Sequence, residues 1–241
     1  MIFLEIYDLH THILPCIDDG AENLSETLTL VKTLKNQGVC GAAATPHFFA
    51  RMRGVDEAVD RRNEVFKRAN EVFVANDFRV VPSFEVRCFA GMSRLDGIQK
   101  LCYGNSDYIL LELPYNGSIT PKMLEEIVSL NLSKGLKPIM AHIERYTTLD
   151  GFDDLISLIN DGYAEAHINT PSLSSLLLKG KTLKLIKSGA AGLIASDTHN
   201  LKKRPPEWDK ALSVARKKLS DSTVKKILCR SAEIWNEVYY A

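Results

Sequence analysis

Short apolar runs alternate with amphipathic segments along this chain, and this alternation restricts the folds that it can adopt. Between residues 55 and 75, apolar residues recur every three or four positions, which predicts a long helix. Residues 78–84 form one of seven short runs that predict buried strands. Repeated strand-then-helix units favour a mostly parallel sheet with helices outside it, and a closed or distorted barrel fits better than an open doubly wound sheet.

The predicted elements can be assigned by number. Strands are predicted at 3–9, 39–45, 78–84, 107–113, 137–141, 164–168 and 191–196. Helices are predicted from Leu24 to a C-cap at Gly38, at 55–75, between Thr120-Pro121 and Gly135, at 152–160 and at 173–187, with two more beginning near Pro206 and Ser222. No linker or repeat divides the series, so we expect residues 1–241 to form a single domain.

Composition excludes several classes of protein. The 30 basic and 30 acidic residues cancel, so no global field attracts nucleic acid or an anionic membrane. The N-terminus lacks the pattern of a signal peptide, and no apolar run is long enough to span a bilayer. Five scattered cysteines lack zinc-ribbon spacing and indicate reduced thiols, so we expect a cytoplasmic protein.

Residues of the metal-ligand type fall at the ends of the predicted strands. In barrels these carboxyl ends share one face, which carries the active site, so the side chains should converge there. Two pairs, His10-x-His12 and Asp197-x-His199, have the alternation that directs both side chains to one face of a strand. The whole set comprises His10, His12, His47, Glu85, Glu112, His142, Asp197 and His199.

Imidazoles and carboxylates suit Mn, Fe or Zn better than a soft metal. One carboxylate of the Asp18-Asp19-Gly20 turn could complete the cluster, although such a sequence is also an ordinary turn. His167 lies within the sixth predicted strand and is expected to be structural, outside the metal set.

Five segments together resemble one known family. They are Asp8-Leu9-His10-Thr11-His12, Ile17-Asp18-Asp19-Gly20, Ala44-Thr45-Pro46-His47, Ala141-His142-Ile143-Glu144-Arg145-Tyr146 and Ala195-Ser196-Asp197-Thr198-His199-Asn200. In this order they are similar to the polymerase-and-histidinol-phosphatase (PHP) superfamily. More narrowly, they resemble the bacterial manganese-dependent protein-tyrosine phosphatases of capsule and exopolysaccharide gene clusters.

The resemblance implies a distorted seven-stranded (β/α) barrel of the TIM type with a three-metal centre. Mn²⁺ is the expected metal, with Fe, Zn and Mg as alternatives. The ligand sets it implies are His10, His12, Glu85 and Asp197 for one ion, Glu85, Glu112 and His142 for a second, and Asp19, His47 and His199 for the third. It further implies that Arg145 and Arg204 bind the substrate phosphate. Cys16 stands where the family commonly has glycine, and Pro82-Ser83-Phe84-Glu85 departs from the family pattern.

The expected chemistry is attack on phosphorus by a hydroxide that the bound ions generate from water. His199 or Asp197 would assist the leaving group, and the choice between them stays open. The resemblance implies a phosphotyrosine protein as substrate, most naturally a bacterial tyrosine kinase that regulates capsule or exopolysaccharide synthesis. Self-association into a homo-oligomer is left open.

The sequence leaves alternative functions and chemistries open. The chain could instead hydrolyse a small metabolite such as histidinol phosphate, or be an inactive regulatory module. Cys88 and Arg94 also satisfy the Cys-x5-Arg pattern of cysteine-dependent tyrosine phosphatases, in which a thiolate attacks phosphorus. Arg87 in place of histidine before the cysteine, and a single glycine within the loop, make this pattern a weak one.

Overall fold

The computed structural model describes residues 5–115 and 117–241, and its strands are all paired in parallel. The strands are β1 Ile6–Thr11, β2 Val39–Ala44, β3 His47–Phe48, β4 Arg79–Pro82, β5 Glu85–Arg87, β6 Tyr108–Glu112, β7 Lys137–Met140, β8 Glu165–Asn169 and β9 Leu193–Ala195. The helices are α1 Leu24–Asn36, α2 Val55–Ala75, α3 Pro121–Lys134, α4 Phe152–Asn160, α5 Thr170–Ser174, α6 Lys179–Ser188, α7 Trp208–Lys218 and α8 Asp221–Tyr239, with 3₁₀ turns at Met92–Arg94, Ile98–Leu101 and Ile143–Tyr146.

The strands form two sheets, with the orders β1-β2-β4 and β3-β5-β6-β7-β8-β9. They are continuous, because the Ser83 amide donates to the Ala44 carbonyl at 2.8 Å and the Glu85 amide donates to the Pro46 carbonyl at 3.0 Å. The second and third predicted strands, 39–45 and 78–84, therefore correspond to β2 and β4, and each continues after a break as a short strand, β3 or β5, beyond the predicted bounds. Pro46 and Pro82 lack the amide hydrogens that an uninterrupted ladder requires, which accounts for the breaks.

Hydrogen bonds between β1 and the segment after β9 bring the two edges together. The Asp197 amide donates to the His10 carbonyl and the His12 amide donates to the Thr198 carbonyl, both at 2.8 Å. With the split strands counted once, seven strand positions form a distorted (β/α) barrel of the TIM type, as predicted. Phe3 and Leu4, at the start of the first predicted strand, lie outside the described residues.

The predicted helix at 173–187 is wrong as a single element. The helix α5 ends at Ser174, and α6 begins only at Lys179. Ser175 has extended backbone angles, and its hydroxyl accepts the Leu177 and Leu178 amide hydrogens at 3.2 Å each. Such a local side-chain bond competes with the helical hydrogen bonds and interrupts the helix.

A tryptophan of the last helix packs against the first strands. Trp235 stacks on Tyr7 with 4.8 Å between ring centroids, and it belongs to an apolar cluster that includes Leu110 and Ile139. Gly41 is required at this point, because a Cβ there would lie 2.6 Å from the indole ring. A larger cluster fills the space between strands and helices. In the part of the chain that is described, no helix is both long and apolar enough to cross a membrane.

A second tryptophan satisfies a buried carboxylate on β1. The Trp208 indole N–H donates to Asp8 Oδ2 at 2.7 Å, and Asp8 Oδ1 accepts the Ser196 amide hydrogen at 2.9 Å. Asp8 is fully buried, and burial raises the pKa of its carboxyl. This carboxylate therefore links β1, the end of β9 and α7.

We predict that Trp208→Phe lowers the free energy of unfolding by about 1–3 kcal/mol more than Trp235→Phe does, because it leaves a buried carboxylate oxygen without its donor. Trp235 is the matched control, since it is equally buried and its indole nitrogen has no hydrogen-bond partner among the described residues. Urea unfolding of the two variants measures the difference. Equal losses of stability would show that the bond to Asp8 contributes nothing.

Candidate metal centre

The C-terminal face of the barrel brings together all nine side chains that the sequence predicts as metal ligands. Eight of them lie at or just after strand ends, and the ninth lies in the loop between β1 and α1. They are His10, His12, Asp19, His47, Glu85, Glu112, His142, Asp197 and His199.

The first group of donors surrounds the end of β1. His10 Nε2 lies 3.3 Å from Glu85 Oε2 and 3.4 Å from Asp197 Oδ1. His12 Nε2 lies at the same two distances from the same two oxygens. One donor atom from each of these four residues lies within 4.8 Å of the others, a spacing that one ion could span.

The second group lies nearer the surface. Asp19 Oδ1 is 3.4 Å from His47 Nε2 and 3.3 Å from His199 Nε2. His12 also comes within 4.8 Å of these three residues. Of the two carboxylates in the turn, Asp19 is thus the one that faces His47 and His199. Asp18 instead contacts His12 Nδ1 at 2.7 Å.

The third group contains two glutamates. His142 Nε2 lies 2.9 Å from Glu85 Oε1 and 3.6 Å from Glu112 Oε1. His47 approaches the same pair, with its Nδ1 at 2.9 Å from Glu85 Oε2. Glu85 therefore contacts histidines of all three groups, as a bridging ligand must.

Several atoms at the centre are poised to accept a ligand. Glu85 Oε2, Asp197 Oδ1 and His47 Nδ1 are buried and lie 2.9–3.4 Å from other donor atoms of the cluster, but no contact of theirs among the described residues has the geometry of a hydrogen bond. Buried polar groups are normally satisfied, so unpaired oxygens and nitrogens that converge here fit a site for cations. Neutral imidazoles with carboxylates are the donors that Mn, Fe and Zn accept.

The electrostatics of the cluster favour ionised Glu85 and Asp197, whereas burial and the nearby Glu85 raise the pKa of Glu112. Burial raises the pKa of Glu85, but the surrounding histidines outweigh it and hold that pKa well below its usual range. Burial and the nearby Arg145 guanidinium lower the pKa of His142 to about 4. The imidazole of His142 is therefore neutral near pH 7, which is the form that binds a metal.

A second layer of side chains orients the ligands. His167 Nε2 lies 2.9 Å from His10 Nδ1, so His167 supports a ligand and lies outside the three donor groups. Asn169 Nδ2 donates to Asp197 Oδ2 at 2.7 Å. Such outer contacts fix the ring and carboxylate orientations of ligands. Asn169 was not predicted from the sequence, although His167-x-Asn169 repeats the alternation seen at His10-x-His12.

Two arginines cover the cluster. Arg145 Nη2 lies 2.7 Å from Asp197 Oδ2, and Arg204 Nη2 lies 2.5 Å from the same oxygen. Arg204 Nη1 also donates to His199 Nε2 at 2.6 Å. About a third of each arginine side chain is exposed, so both can reach a bound anion. Their planar forks match a phosphate group.

Tyr115 is a further residue of the site that the sequence analysis missed. Its hydroxyl donates to Glu112 Oε1 and accepts a hydrogen bond from Arg145 Nη1 at 2.9 Å. It also lies 3.3 Å from His142 Nε2. Tyr115 follows β6 in an irregular segment, where no periodic pattern indicates its direction.

Three residues around the centre have left-handed backbone angles that non-glycine residues rarely adopt. They are Cys16 with φ 57°, His142 with φ 37° and Asp197 with φ 53°. Strain of this kind is concentrated at functional sites, where it directs side chains. Glycine, which the family resemblance implies at the position of Cys16, adopts these angles without strain.

The geometry disfavours a cysteine nucleophile. Cys88 is buried, and burial together with Glu112 raises the pKa of its thiol to about 12. A reactive thiolate needs a lowered pKa and exposure to substrate. Arg94, the other half of the pattern, is exposed on a 3₁₀ turn.

A model of the family described as capsular polysaccharide synthesis, CpsB/CapC, matches residues 6–235. This chain belongs to the CpsB/CapC family. Tyrosine-protein phosphatase YwqE of Bacillus subtilis is 28% identical over 233 residues, which cover 94% of this chain and 90% of YwqE. Tyrosine-protein phosphatase CpsB of Streptococcus pneumoniae is 27% identical over 91% of this chain and 93% of CpsB.

A solved structure agrees with these relatives. It comes from work on YwqE and CpsB as unique metal-dependent tyrosine phosphatases, and it matches with a TM-score of 0.80 and 28% identity over 95% of this chain and 93% of the other. The phosphotriesterase homology protein of Escherichia coli, with 11% identity and a TM-score of 0.58 over 96% of this chain and 98% of that chain, shares the fold. The predicted family and barrel are confirmed.

We predict that Mn²⁺ at a hundredfold excess over its dissociation constant raises the melting temperature of the metal-free protein by roughly 5–10 °C, since such binding stabilises by about 2.7 kcal/mol. Glu85→Gln should abolish most of this rise, because Glu85 contacts all three groups. Scanning calorimetry with and without Mn²⁺ measures it.

Glu126→Gln is the control for this experiment. Glu126 is also a buried glutamate, but it accepts the Gly91 and Ser93 amide hydrogens at 2.6 Å and 2.8 Å, away from the donor groups. It should keep the full Mn²⁺ response. An undiminished response in Glu85→Gln would remove Glu85 from the centre.

Proposed function

We propose that this chain is a metal-dependent protein-tyrosine phosphatase of capsule or exopolysaccharide synthesis. One observation carries the proposal: three groups of imidazole and carboxylate donors meet at Glu85, and the guanidinium groups of Arg145 and Arg204 lie directly beside them. A cation cluster with two adjacent arginines suits a phosphate ester, whose oxygens are anionic. The names of the relatives point to the tyrosine hydroxyl as the alcohol part of this ester.

The nine ligands would divide among three Mn²⁺ ions in the sets that the family resemblance implies. The short distances within each set and the unpaired atoms of Glu85, Asp197 and His47 support this division. Fe, Zn and Mg are alternatives with compatible donors. When bound, such ions lower the pKa of a coordinated water and so supply a nucleophile near neutral pH.

Arg145 and Arg204 would bind the phosphate and stabilise the charge that develops on its equatorial oxygens. In the structure both guanidinium groups are held by Asp197 Oδ2. A cation bound by Asp197 would compete with the arginines for this carboxylate. The guanidinium groups could then turn toward a phosphate, which would replace Asp197 as their anionic partner.

His199 is better suited to be a ligand than a proton donor. Its Nδ1 lies 3.0 Å from the Asp197 carbonyl, which accepts a hydrogen bond and thereby leaves the lone pair on Nε2. That Nε2 faces Asp19 and the second donor group. An imidazole that holds an ion through Nε2 has no proton there to give a leaving group. Asp197 Oδ2 is likewise held by Arg145, Asn169 and Arg204, and its Oδ1 faces the first donor group, which favours water as the source of that proton.

The remaining parts of the proposal rest on the relatives. The substrate would be a phosphotyrosine protein, most naturally a bacterial tyrosine kinase of the same synthesis system. The match of the family model to residues 6–235 supports one phosphoesterase domain across the chain. We propose a cytoplasmic location, where such a kinase presents its phosphorylated segment.

We predict that the protein hydrolyses a phosphotyrosine peptide faster than histidinol phosphate, that a chelator abolishes the activity and that Mn²⁺ restores it. Cys88→Ser should behave as wild type, because the buried thiol takes no part. Phosphate release from the two substrates, with and without Mn²⁺, measures this. A preference for histidinol phosphate would refute the tyrosine-phosphatase assignment, and loss of activity in Cys88→Ser would refute the metal chemistry.

We further predict that Arg145→Ala and Arg204→Ala each lower kcat/KM for the phosphotyrosine peptide by about 10²-fold, the usual effect of losing one donor to the transition state. Arg94→Ala is the matched control, since Arg94 is exposed and lies outside the donor groups. Steady-state kinetics measures all three variants. If the first two stay within twofold of wild type, the phosphate roles are wrong.

A further inference from the structure

Two aromatic rings and an arginine form a continuous rim beside the metal centre. The Arg87 guanidinium carbon lies 5.8 Å from the centre of the Phe49 ring and 5.1 Å from the centre of the Tyr115 ring. We call these three residues the aromatic rim. They come from the segments at the ends of β3, β5 and β6, which are neighbours in the barrel.

The rim adjoins the donor groups at both ends. The Phe49 ring centre is 5.4 Å from that of His47, and the Tyr115 ring centre is 5.8 Å from that of His142. Between them, Arg87 Nε lies 3.0 Å from Glu112 Oε2. The rim therefore borders the site along the side formed by the second and third donor groups.

The exposure of the rim does not fit a role in core packing. Tyr115 is 39% exposed, and Phe49 is partly exposed. Their neighbours Phe48 and Tyr146, by contrast, are buried and fill the core. Aromatic surface left partly open beside a polar site is available to a ligand.

The charge on Arg87 is already paired. Because its Nε contacts Glu112, Arg87 is poorly placed to bind a second anion. Its flat guanidinium instead holds the two rings in position, as cation–π contacts do. The rim thus offers ring faces, whereas Arg145, bonded to the Tyr115 hydroxyl at 2.9 Å, offers charge.

We propose that the aromatic rim receives the phenyl ring of phosphotyrosine and so selects aryl over alkyl phosphomonoesters. This inference rests on the proposed function and names the part of the chain that sets its specificity. A phosphate held by Arg145 places the next atoms of the substrate within reach of Tyr115. A phenyl ring there stacks on the rim, whereas the short side chain of phosphoserine leaves the rings without a partner.

Equilibrium binding of phenylphosphonate and methylphosphonate to the Mn²⁺-loaded protein tests the proposal. Both ligands carry the same anionic group and resist hydrolysis, so the ratio of their dissociation constants isolates the ring. Calorimetry should show tighter binding of phenylphosphonate to wild type. Phe49→Ala and Tyr115→Ala should each reduce this preference by about threefold to tenfold, which is the usual contribution of one aromatic pair to affinity.

Two further variants complete the test. Tyr115→Phe keeps the ring and should keep the phenyl preference. Tyr239→Ala removes another exposed tyrosine whose ring lies 5.7 Å from an arginine, Arg79, outside the donor groups, and should leave both affinities unchanged. If Phe49→Ala and Tyr115→Ala weaken both phosphonates equally, or if wild type shows no preference, the rim does not receive the ring.

The two proposals can fail separately. If the protein hydrolyses phosphotyrosine peptide with Mn²⁺ but both alanine variants keep the phenyl preference, the proposed function stands and the proposed role of the aromatic rim is refuted. If the phenyl preference depends on the rim but the protein does not hydrolyse the peptide, the rim binds aryl groups and the tyrosine-phosphatase function is refuted.

Discussion

The hydrogen bonds that close the barrel between β1 and the segment after β9 are the constraint on which the site depends. They pair the His10 carbonyl with the Asp197 amide and the His12 amide with the Thr198 carbonyl. Two histidines near the start of the chain thereby meet an aspartate and a histidine near its end. The buried Asp8 carboxylate reinforces this junction, because it accepts hydrogen bonds from Ser196 and Trp208. Without closure, the first donor group would not exist.

The same junction concentrates charge in a buried place. Carboxylates removed from water are unfavourable unless cations or donors surround them. In this protein, imidazoles surround Glu85, and two guanidinium groups with the Asn169 amide surround Asp197. The metal ions that we propose would take over part of this compensation. The site is thus a region where folding stability and metal binding are coupled.

Much of the fold could be predicted because periodicity is a local property. The helices α2 and α4 match their predicted bounds, and each strand position was recognised from its apolar run. The breaks at Pro46 and after Pro82, and the interruption at Ser175, were missed. The two prolines were a sequence signal for the strand breaks, although an apolar pattern alone does not show it. The interruption at Ser175 depends on side-chain hydrogen bonds that such a pattern does not encode. The convergence of the predicted ligands followed from topology alone, since parallel strands end on one face.

Other parts of the site could not be predicted from the sequence for the same reason. Asp18 and Asp19 have equivalent positions in a turn, so the local pattern left the choice open and the family resemblance selected Asp19. The folded chain places Asp19 near His47 and shows that Asp18 orients His12. Tyr115, Phe49 and Arg87 lie in segments without periodicity, so nothing in the sequence indicates that their side chains meet. Residues that act through contacts between loops become visible only in three dimensions.

We propose that the three donor groups hold three ions and that Glu85 belongs to two of these groups. Anomalous diffraction at the manganese edge, from crystals of the protein grown with Mn²⁺, measures the number and positions of the ions. We expect three peaks: one beside His10 and His12, one beside Glu112 and His142, and one beside Asp19 and His199. A single peak, or peaks remote from Glu85 and Asp197, would contradict the account.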